Sequence, residues 1–587
     1  MVPIPKEEYL SMFANENRHG KVRKPADQTK RIIEAASGRK PADLVLKGAS
    51  YVNVFTHEIS SGDIAIAEGR IAGIGEYSGM TEADVSGLLV LPGLIDAHIH
   101  LESSLVTPSE FAKVVLPHGT TAVVTDPHEI ANVMGADGIQ YMLQATEGLP
   151  VDVCFMLPSC VPATLMDESG AELEDLAIVP FYAHPRVYGL AEMMNYPGIL
   201  HSDPQVLKKL TAAQGYRKRI DGHAPGLSGR ELNAYIAAGI SSDHECSTLE
   251  EALEKLRLGQ SVMIREGTAA HNLKALLPLL TERYADRCMF CCDDKHPLDL
   301  LEKGHMDFIV HEAILQGADP ILAVKAATWN PARYLHLDDR GAIAPSYLAD
   351  LVVIDSFDHF QIRQVYKHGE LMYDGECLRK FEPPAIDPAL DMRAHNTIHL
   401  SKLTPDDFTA ARPCGTIGLI PGEILSEDRG YSDHIQVDND ILKVAVVERH
   451  HRTNHIGIGY LQGYGLKSGA VATSVAHDSH NIIVAGTNEV DMAAAVNRIA
   501  ENGGGIVVVN DSSIKSEVIL SIAGIMSDDT LENVNSALED AKAAAFALGV
   551  SRKIDPFMSL SFMSLPVIPT LRITTKGVID VNRQKYL

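Results

Sequence analysis

Short apolar runs alternate with polar residues over positions 43–75, DLVLKGASYVNVFTHEISSGDIAIAEGRIAGIG, and Gly, Asn and Ser mark the breaks. A period of two interrupted by turn residues predicts a series of short β-strands. The same texture returns at 341–373, GAIAPSYLADLVVIDSFDHFQIRQVYKHGELMY. Two such segments flanking a long insertion predict one small β-sandwich assembled from both sides, residues 1–90 (including a polar N-terminal extension) and 336–394. Within the insertion, 91–335, the apolar runs TAVVTD, VDVCFML, VYGLAEM, SVMIRE and CMFCCDD alternate with PQVLKKLTAAQG, SGRELNAYIAAG and STLEEALEKLRLG. The latter have apolar residues at helical spacing and end in Gly, so the alternation predicts parallel strands with crossover helices. About 240 residues is the usual size of a (β/α)8 barrel of the TIM type.

Residues 395–587 read as a separate α/β domain. In it NIIVAG, TNEVDMAAAVNRIAEN and GGGIVVVN predict strand, helix, strand, with Thr487 or Asn488 capping the helix and Gly503 ending it. The run Gly503-Gly504-Gly505 precedes a strand, whereas a phosphate loop precedes a helix, so helix termination is the better reading.

Candidate chemistry sits where the apolar runs end. Asp96-Ala97-His98-Ile99-His100 closes the first run of the insertion, and residues i and i+2 of a strand face one side. Glu192 in YGLAEMMN, His223 in IDGHAPG, His244 in SSDHE, and Asp293 and Asp294 in CCDDKHP each follow a run of their own. Parallel strands that each deliver one such residue at the C-terminal end place them on one rim of a barrel. Four imidazoles with the carboxylates of Glu192 and Asp293 make a nitrogen and oxygen set large enough for two divalent metal ions, with Glu192 able to bridge them. Water between such ions loses a proton near neutral pH, which suits hydrolysis of a C–N bond.

Other clusters are weaker. Asp126, His128 and Glu129 end the run TAVVTDPHE, where they are candidates for binding a substrate edge or assisting a metal, against the reading of a Pro-containing turn with helix-capping acids. His477, Asp478 and His480 in SVAHDSH are candidates for contributing to the same site from the last domain, His477 and Asp478 as substrate-binding groups, against the reading of a satisfied polar loop. Met558, Phe562 and Met563 have a spacing that suits a flat slot, although core packing is the better expectation. Cys288-Met289-Phe290-Cys291 matches CxxC but has no second pair and lies in an apolar run, which predicts buried strand cysteines.

A formal charge of -26, from 51 Lys+Arg against 77 Asp+Glu, disfavours nucleic acid and anionic membrane as partners. The N-terminus lacks the apolar core of a signal peptide, no stretch is long and apolar enough to span a membrane, and eight cysteines in so long a chain are no disulfide framework. A cytoplasmic enzyme, acting on a small molecule as a homo-oligomer, is expected.

LPGLIDAHIHLESS followed in order by TDPHEIANV, GLAEMMN, DGHAPG, SDHE and CCDDKHP resembles the amidohydrolase superfamily, and within it the bacterial adenine deaminases. The likeness continues through SVAHDSHNIIVAG and PFMSLSFMSLPVIPTLRITTKGVIDV, so it covers nearly the whole chain. It implies His98, His100, Glu192, His223, His244 and Asp293 as ligands of two ions, Mn2+ or Fe2+ ahead of Zn2+. Many relatives bridge their metals with a carboxylated lysine on the fourth strand, but HPRVYGLAEMMN contains none, which leaves Glu192. The implied reaction is hydrolysis of adenine to hypoxanthine and ammonia in purine salvage, by attack of hydroxide held between the ions on C6. Asp293 and Glu245 are both candidates for the proton shuttle, and Asp294 is a further catalytic candidate. The alternatives are a related enzyme acting on another purine or a cyclic amide, and a non-catalytic scaffold; a dihydropyrimidine or hydantoin enzyme would ordinarily need the missing lysine.

Overall fold

A computed structural model describes residues 26–587 except 165, 269, 411, 422 and 424, so most of the polar N-terminal extension lies outside the described residues. Eight parallel strands form the centre of the molecule: Leu94–Ile99, Thr120–Thr125, Asp152–Leu157, Val187–Met193, Arg219–Gly222, Ser242–Asp243, Ser261–Arg265 and Cys288–Cys291. The first five make one sheet and the last three another. Backbone bonds join them at both edges, Ser241 N–H to Ile220 O (2.9 Å) on one side and Asp293 N–H to His98 O (2.9 Å) on the other, so the strands run in an unbroken ring.

These strands read as continuous apolar runs because both of their faces are buried. Ile95, Ala97, Ala122, Val124, Cys154, Met156, Met263, Met289 and Cys291 belong to one cluster, and Val123, Phe155, Leu157, Leu190, Ile264, Cys288 and Phe290 to another that includes the surrounding helices. Cys288 and Cys291, three residues apart on a strand, thus fall in different clusters, as their odd spacing requires. All eight cysteines are free.

A six-stranded sheet takes strands from both flanks of the ring, in the order Glu370–Tyr373, Ile362–Lys367, Leu351–Ile354, Leu89–Pro92, Ser50–Asn53, Glu58–Ser61. Leu89–Pro92, just before the barrel, pairs antiparallel with Leu351–Ile354, just after it. A four-stranded sheet of Ala42–Lys47, Asp63–Ala67, Arg70–Gly75 and Gly79–Asp84 completes the sandwich.

The C-terminal region is β-rich, built on an eight-stranded sheet. Asn488 caps the helix Glu489–Asn502 through the Asp491 N–H (2.8 Å), and Gly503 ends it with φ 75°, a left-handed turn that glycine adopts without strain. The strands on either side, Ile482–Gly486 and Gly505–Asn510, are not direct neighbours. Ala470–Thr473 lies between them, antiparallel to both.

Candidate metal centre

Every strand of the ring points the same way, so its C-terminal end carries the expected residues together. His98 is the penultimate residue of the first strand and His100 follows it, Glu192 is the penultimate residue of the fourth, His223 and His244 follow the fifth and sixth, and Asp293 comes two residues after the eighth. The pairing register shifts between Asp96 and Ile99 and again between Leu190 and Met193. Irregularities of this kind at barrel rims re-aim side chains, and these two fall on the segments that carry His98 and Glu192.

The two oxygens of Glu192 face different histidines. Oε1 lies 3.2 Å from His100 Nε2, 3.7 Å from His98 Nε2 and 3.6 Å from His128 Nδ1. Oε2 lies 2.8 Å from His223 Nδ1 and 3.3 Å from His244 Nε2. Asp293 Oδ1 approaches His100 Nε2 (3.1 Å) and His98 Nε2 (3.5 Å). His100 Nδ1 donates to the backbone oxygen of Asp126 (3.0 Å), which turns Nε2 toward the two carboxylates.

These donors fit divalent cations. The Nε2 atoms of His98 and His244 are buried without a hydrogen-bond partner, an expensive arrangement unless something else engages them. Burial alone would lower the pKa of the His100 and His244 imidazoles, yet Asp293 and Glu192 beside the first, and Glu192 and Glu245 beside the second, hold both well above the ordinary value. The pocket therefore stabilises positive charge strongly in a buried place. Triplets and quartets of donors close enough to share an ion include His98, His100 and Asp293; His98, Glu192 and His244; and His100, Asp126, His128 and Glu192.

Glu245 and Asp293 share one partner that sequence reasoning missed. Arg265, the last residue of Ser261–Arg265, donates Nη1 to both carboxylates and Nη2 to Glu245 Oε2 (3.1 Å). Burial would raise the pKa of Glu245, but His223 and Arg265 pull it below the usual carboxylate range. The signal was present, since Arg265 is a polar residue ending an apolar run like the others. Asp293 itself has φ 64°, a left-handed conformation uncommon outside glycine. Asp294 belongs to another environment: it accepts the Ser103 hydroxyl and lines a mainly apolar cavity between the barrel rim and the C-terminal region.

That cavity brings together Glu102, Ser103, Glu129, Asp294, His477 and Phe562. Met558 also lines it, whereas Met563 is core. Asp126 Oδ2 is bonded to His128 Nδ1 (2.9 Å). Glu129 is clasped by two histidines of the C-terminal region, with His477 Nδ1 at 2.6 Å from one oxygen and His480 Nε2 on the other. The Ala476 N–H donates to His480 Nδ1 (3.2 Å), which fixes His480 as the Nε2–H tautomer, a donor to Glu129. His477 stacks on Phe562 with centroids 5.1 Å apart. Asp478 is buried, and burial first, then Glu129 and Glu192, raise its pKa to about 6 against the opposing pull of His128 and His477. Glu102, also missed from sequence, accepts the Ile130 N–H with one oxygen, and burial raises its pKa to about 7.

Comparison with known proteins places this arrangement. Residues 89–372 match the Amidohydrolase family, and residues 424–585 match the Adenine deaminase C-terminal domain. The chain is 48% identical over 565 residues to an adenine deaminase of Desulfatibacillum aliphaticivorans, covering 94% of this chain and 98% of that one. It is 46% identical to adenine deaminase 2 of Carboxydothermus hydrogenoformans over 94% and 98% of the two chains, and 45% identical to adenine deaminase 1 of Rhizobium johnstonii over 94% and 97%. With a barrel rim crowded by histidines and carboxylates, and with relatives this similar along nearly their whole length, the chain belongs to the adenine deaminase family of amidohydrolases.

Proposed function

We propose that this chain hydrolyses adenine to hypoxanthine and ammonia, in purine salvage, with two divalent cations, manganese or iron, held by His98, His100, Glu192, His223, His244 and Asp293. One observation supports this beyond the family relationship: each oxygen of Glu192 faces its own histidines, which suits a bridging carboxylate. When bound, such ions supply Lewis acidity and make water acidic enough to yield hydroxide near neutral pH. The chain's own residues then move protons and hold the base. As the C6–O bond forms, Asp293 takes the proton of the attacking water, the C6–N1 π pair moves onto N1, which takes up a proton, and the pair returns when the amino group leaves. As the C6–N bond breaks, a proton must reach the departing amino group, and Asp293 and Glu245 are the carboxylates suited to deliver it. Arg265 aligns both through its hydrogen bonds, and Asp294 acts from the side of the adjoining cavity. Asp126, His128, His477 and Asp478 bind the purine, and Glu129 orients His477.

No described helix is long and apolar enough to cross a membrane. The proposal extends to a cytoplasmic homo-oligomer. Leu176 and Leu207, 77% and 38% exposed, lie on the touching helices Asp175–Ile178 and Pro204–Gly215, where a second copy of the chain would cover them.

Ammonia release from adenine, adenosine, cytosine, guanine and dihydroorotate, measured on protein reconstituted with manganese, tests the substrate assignment. Release from adenine is expected; release from adenosine without release from adenine overturns it.

A further inference from the structure

A second cavity, of about 390 Å3, opens at the opposite end of the barrel from the histidines. Its walls come from the turn before Asp152–Leu157, from Arg186 and Tyr188 at the start of the fourth strand, from Arg340, and from sandwich residues between 367 and 381. Five Lys or Arg residues line it against three acids, Glu147, Asp152 and Glu370. The chain as a whole has 51 basic residues against 77 acidic ones, so the balance of charge is inverted here.

The basic groups are not equally satisfied. Lys367 is fully engaged, donating to Asp152 (2.6 Å) and Asp350 (2.8 Å). Arg340 gives Nη1 to Asp152, while its buried Nε makes no hydrogen bond and lies 3.6 Å from Asp339 Oδ1. Arg379 pairs with Glu370 at the surface, where both side chains are more than half exposed and such a pair contributes little. Lys380 is exposed and forms no ion pair among the described residues. The remaining lining includes apolar and aromatic side chains, among them Leu149, Tyr188, Met372 and Phe381.

We propose that this cavity binds a small phosphorylated molecule with a flat apolar ring, of the nucleoside monophosphate type. Arg340, Arg379 and Lys380 take the phosphate, and Tyr188 and Phe381 pack on the ring. Guanidinium groups match phosphate oxygens in geometry and charge, and aromatic faces favour a planar heterocycle. The volume is within the usual range for small-molecule pockets. Tyr188 and Glu192 lie on one strand four residues apart, about 13 Å at the usual rise, so this ligand does not reach the proposed reacting atoms. The inference therefore stands apart from the assignment of the reaction.

Calorimetric titration of the full chain with adenosine 5′-monophosphate, inorganic phosphate and adenosine tests it. The monophosphate is expected to bind saturably and more tightly than either phosphate or adenosine. The double variant Arg379→Ser, Lys380→Ser, at two exposed positions, should weaken that binding by about tenfold or more while leaving turnover unchanged. His98→Ala should leave the binding intact, which separates this cavity from the histidine cluster. Absence of saturable binding below about 1 mM, equal binding of phosphate alone, unchanged affinity in the double variant, or loss of binding in His98→Ala each overturns the proposal.

Discussion

Asp293 is held by three different kinds of constraint. Its backbone adopts a left-handed φ of 64°, its peptide group bonds to both His98 and His100, and its carboxylate meets His98, His100 and Arg265. A residue so over-determined can keep a conformation that is costly in isolation. The histidines and Glu245 differ in a way that substitutions should separate. His98→Ala removes a donor whose buried Nε2 makes no hydrogen bond, so metal content by elemental analysis and turnover should both be lost. Glu245→Gln keeps a side chain that can still accept from Arg265, so metal should remain while turnover falls by about 100-fold. Full activity in both variants would show that the site has been placed wrongly.

Asp167 supplies a stability test. Burial first, and Asp478 nearby, raise its pKa from 3.8 to about 7, although Ser479 bonds to its carboxyl group. The folded chain therefore keeps the proton over a range in which the unfolded chain has released it. The associated stability is fully present below the ordinary carboxylate pKa and is lost as pH rises through about 7. The difference corresponds to at most about 4 kcal/mol. Asp167→Asn should raise the thermal unfolding midpoint at pH 8 relative to the parent, with a much smaller gain at pH 5. An equal gain at both values would show that the carboxyl group is not the cause.

At the scale of elements, the turn 476–481 connects the C-terminal region to the barrel. Arg449, fully buried, donates Nε to the His480 carbonyl and Nη2 to the Ala523 carbonyl (2.9 Å), and His450 Nε2 bonds the Ser479 carbonyl (2.8 Å). Asn481 in turn donates to the Glu168 carbonyl of the barrel (2.7 Å). Arg449→Met should free the turn, so that kcat for adenine falls by about tenfold or more with metal content unchanged, since small misplacements of binding groups are costly. An unchanged kcat would show that the turn needs no such anchor.

The elements themselves were largely legible in the sequence. VYGLAEM is the strand Val187–Met193 residue for residue, because a strand buried on both faces must be apolar throughout. The capped helix after NIIVAG was equally plain, since its first and last turns carry their own chemistry. The antiparallel strand inserted beside it was not, because pairing partners leave no local trace. The six side chains at the rim announced themselves by falling where apolar runs end. The clasp of Glu129 by His477 joins residues 348 positions apart, and no periodicity links them. A cation at a strand end, such as Arg265, has an ordinary solvated explanation, and only the closed ring brings it to two carboxylates.

At the scale of the molecule, one apolar cluster runs through the barrel, the sandwich and the C-terminal region, including Val123, Val352 and Leu442, so the three are packed as a single body. The exposed Leu176 and Leu207 lie outside it. Sedimentation equilibrium of the purified chain should give a dimer or larger, and Leu176→Arg should shift that equilibrium towards monomer. A monomer at micromolar concentration in the parent would overturn the expectation.

The ring of strands is sewn shut at the peptide group of Asp293, which bonds to His98 on one side and His100 on the other. The last of the six side chains to leave the ribosome is thus also the stitch that finishes the cylinder. A nascent chain that has not yet reached it has neither a complete wall nor a complete set of donors. The residue that closes the wall is therefore also the one that completes the set of six donors.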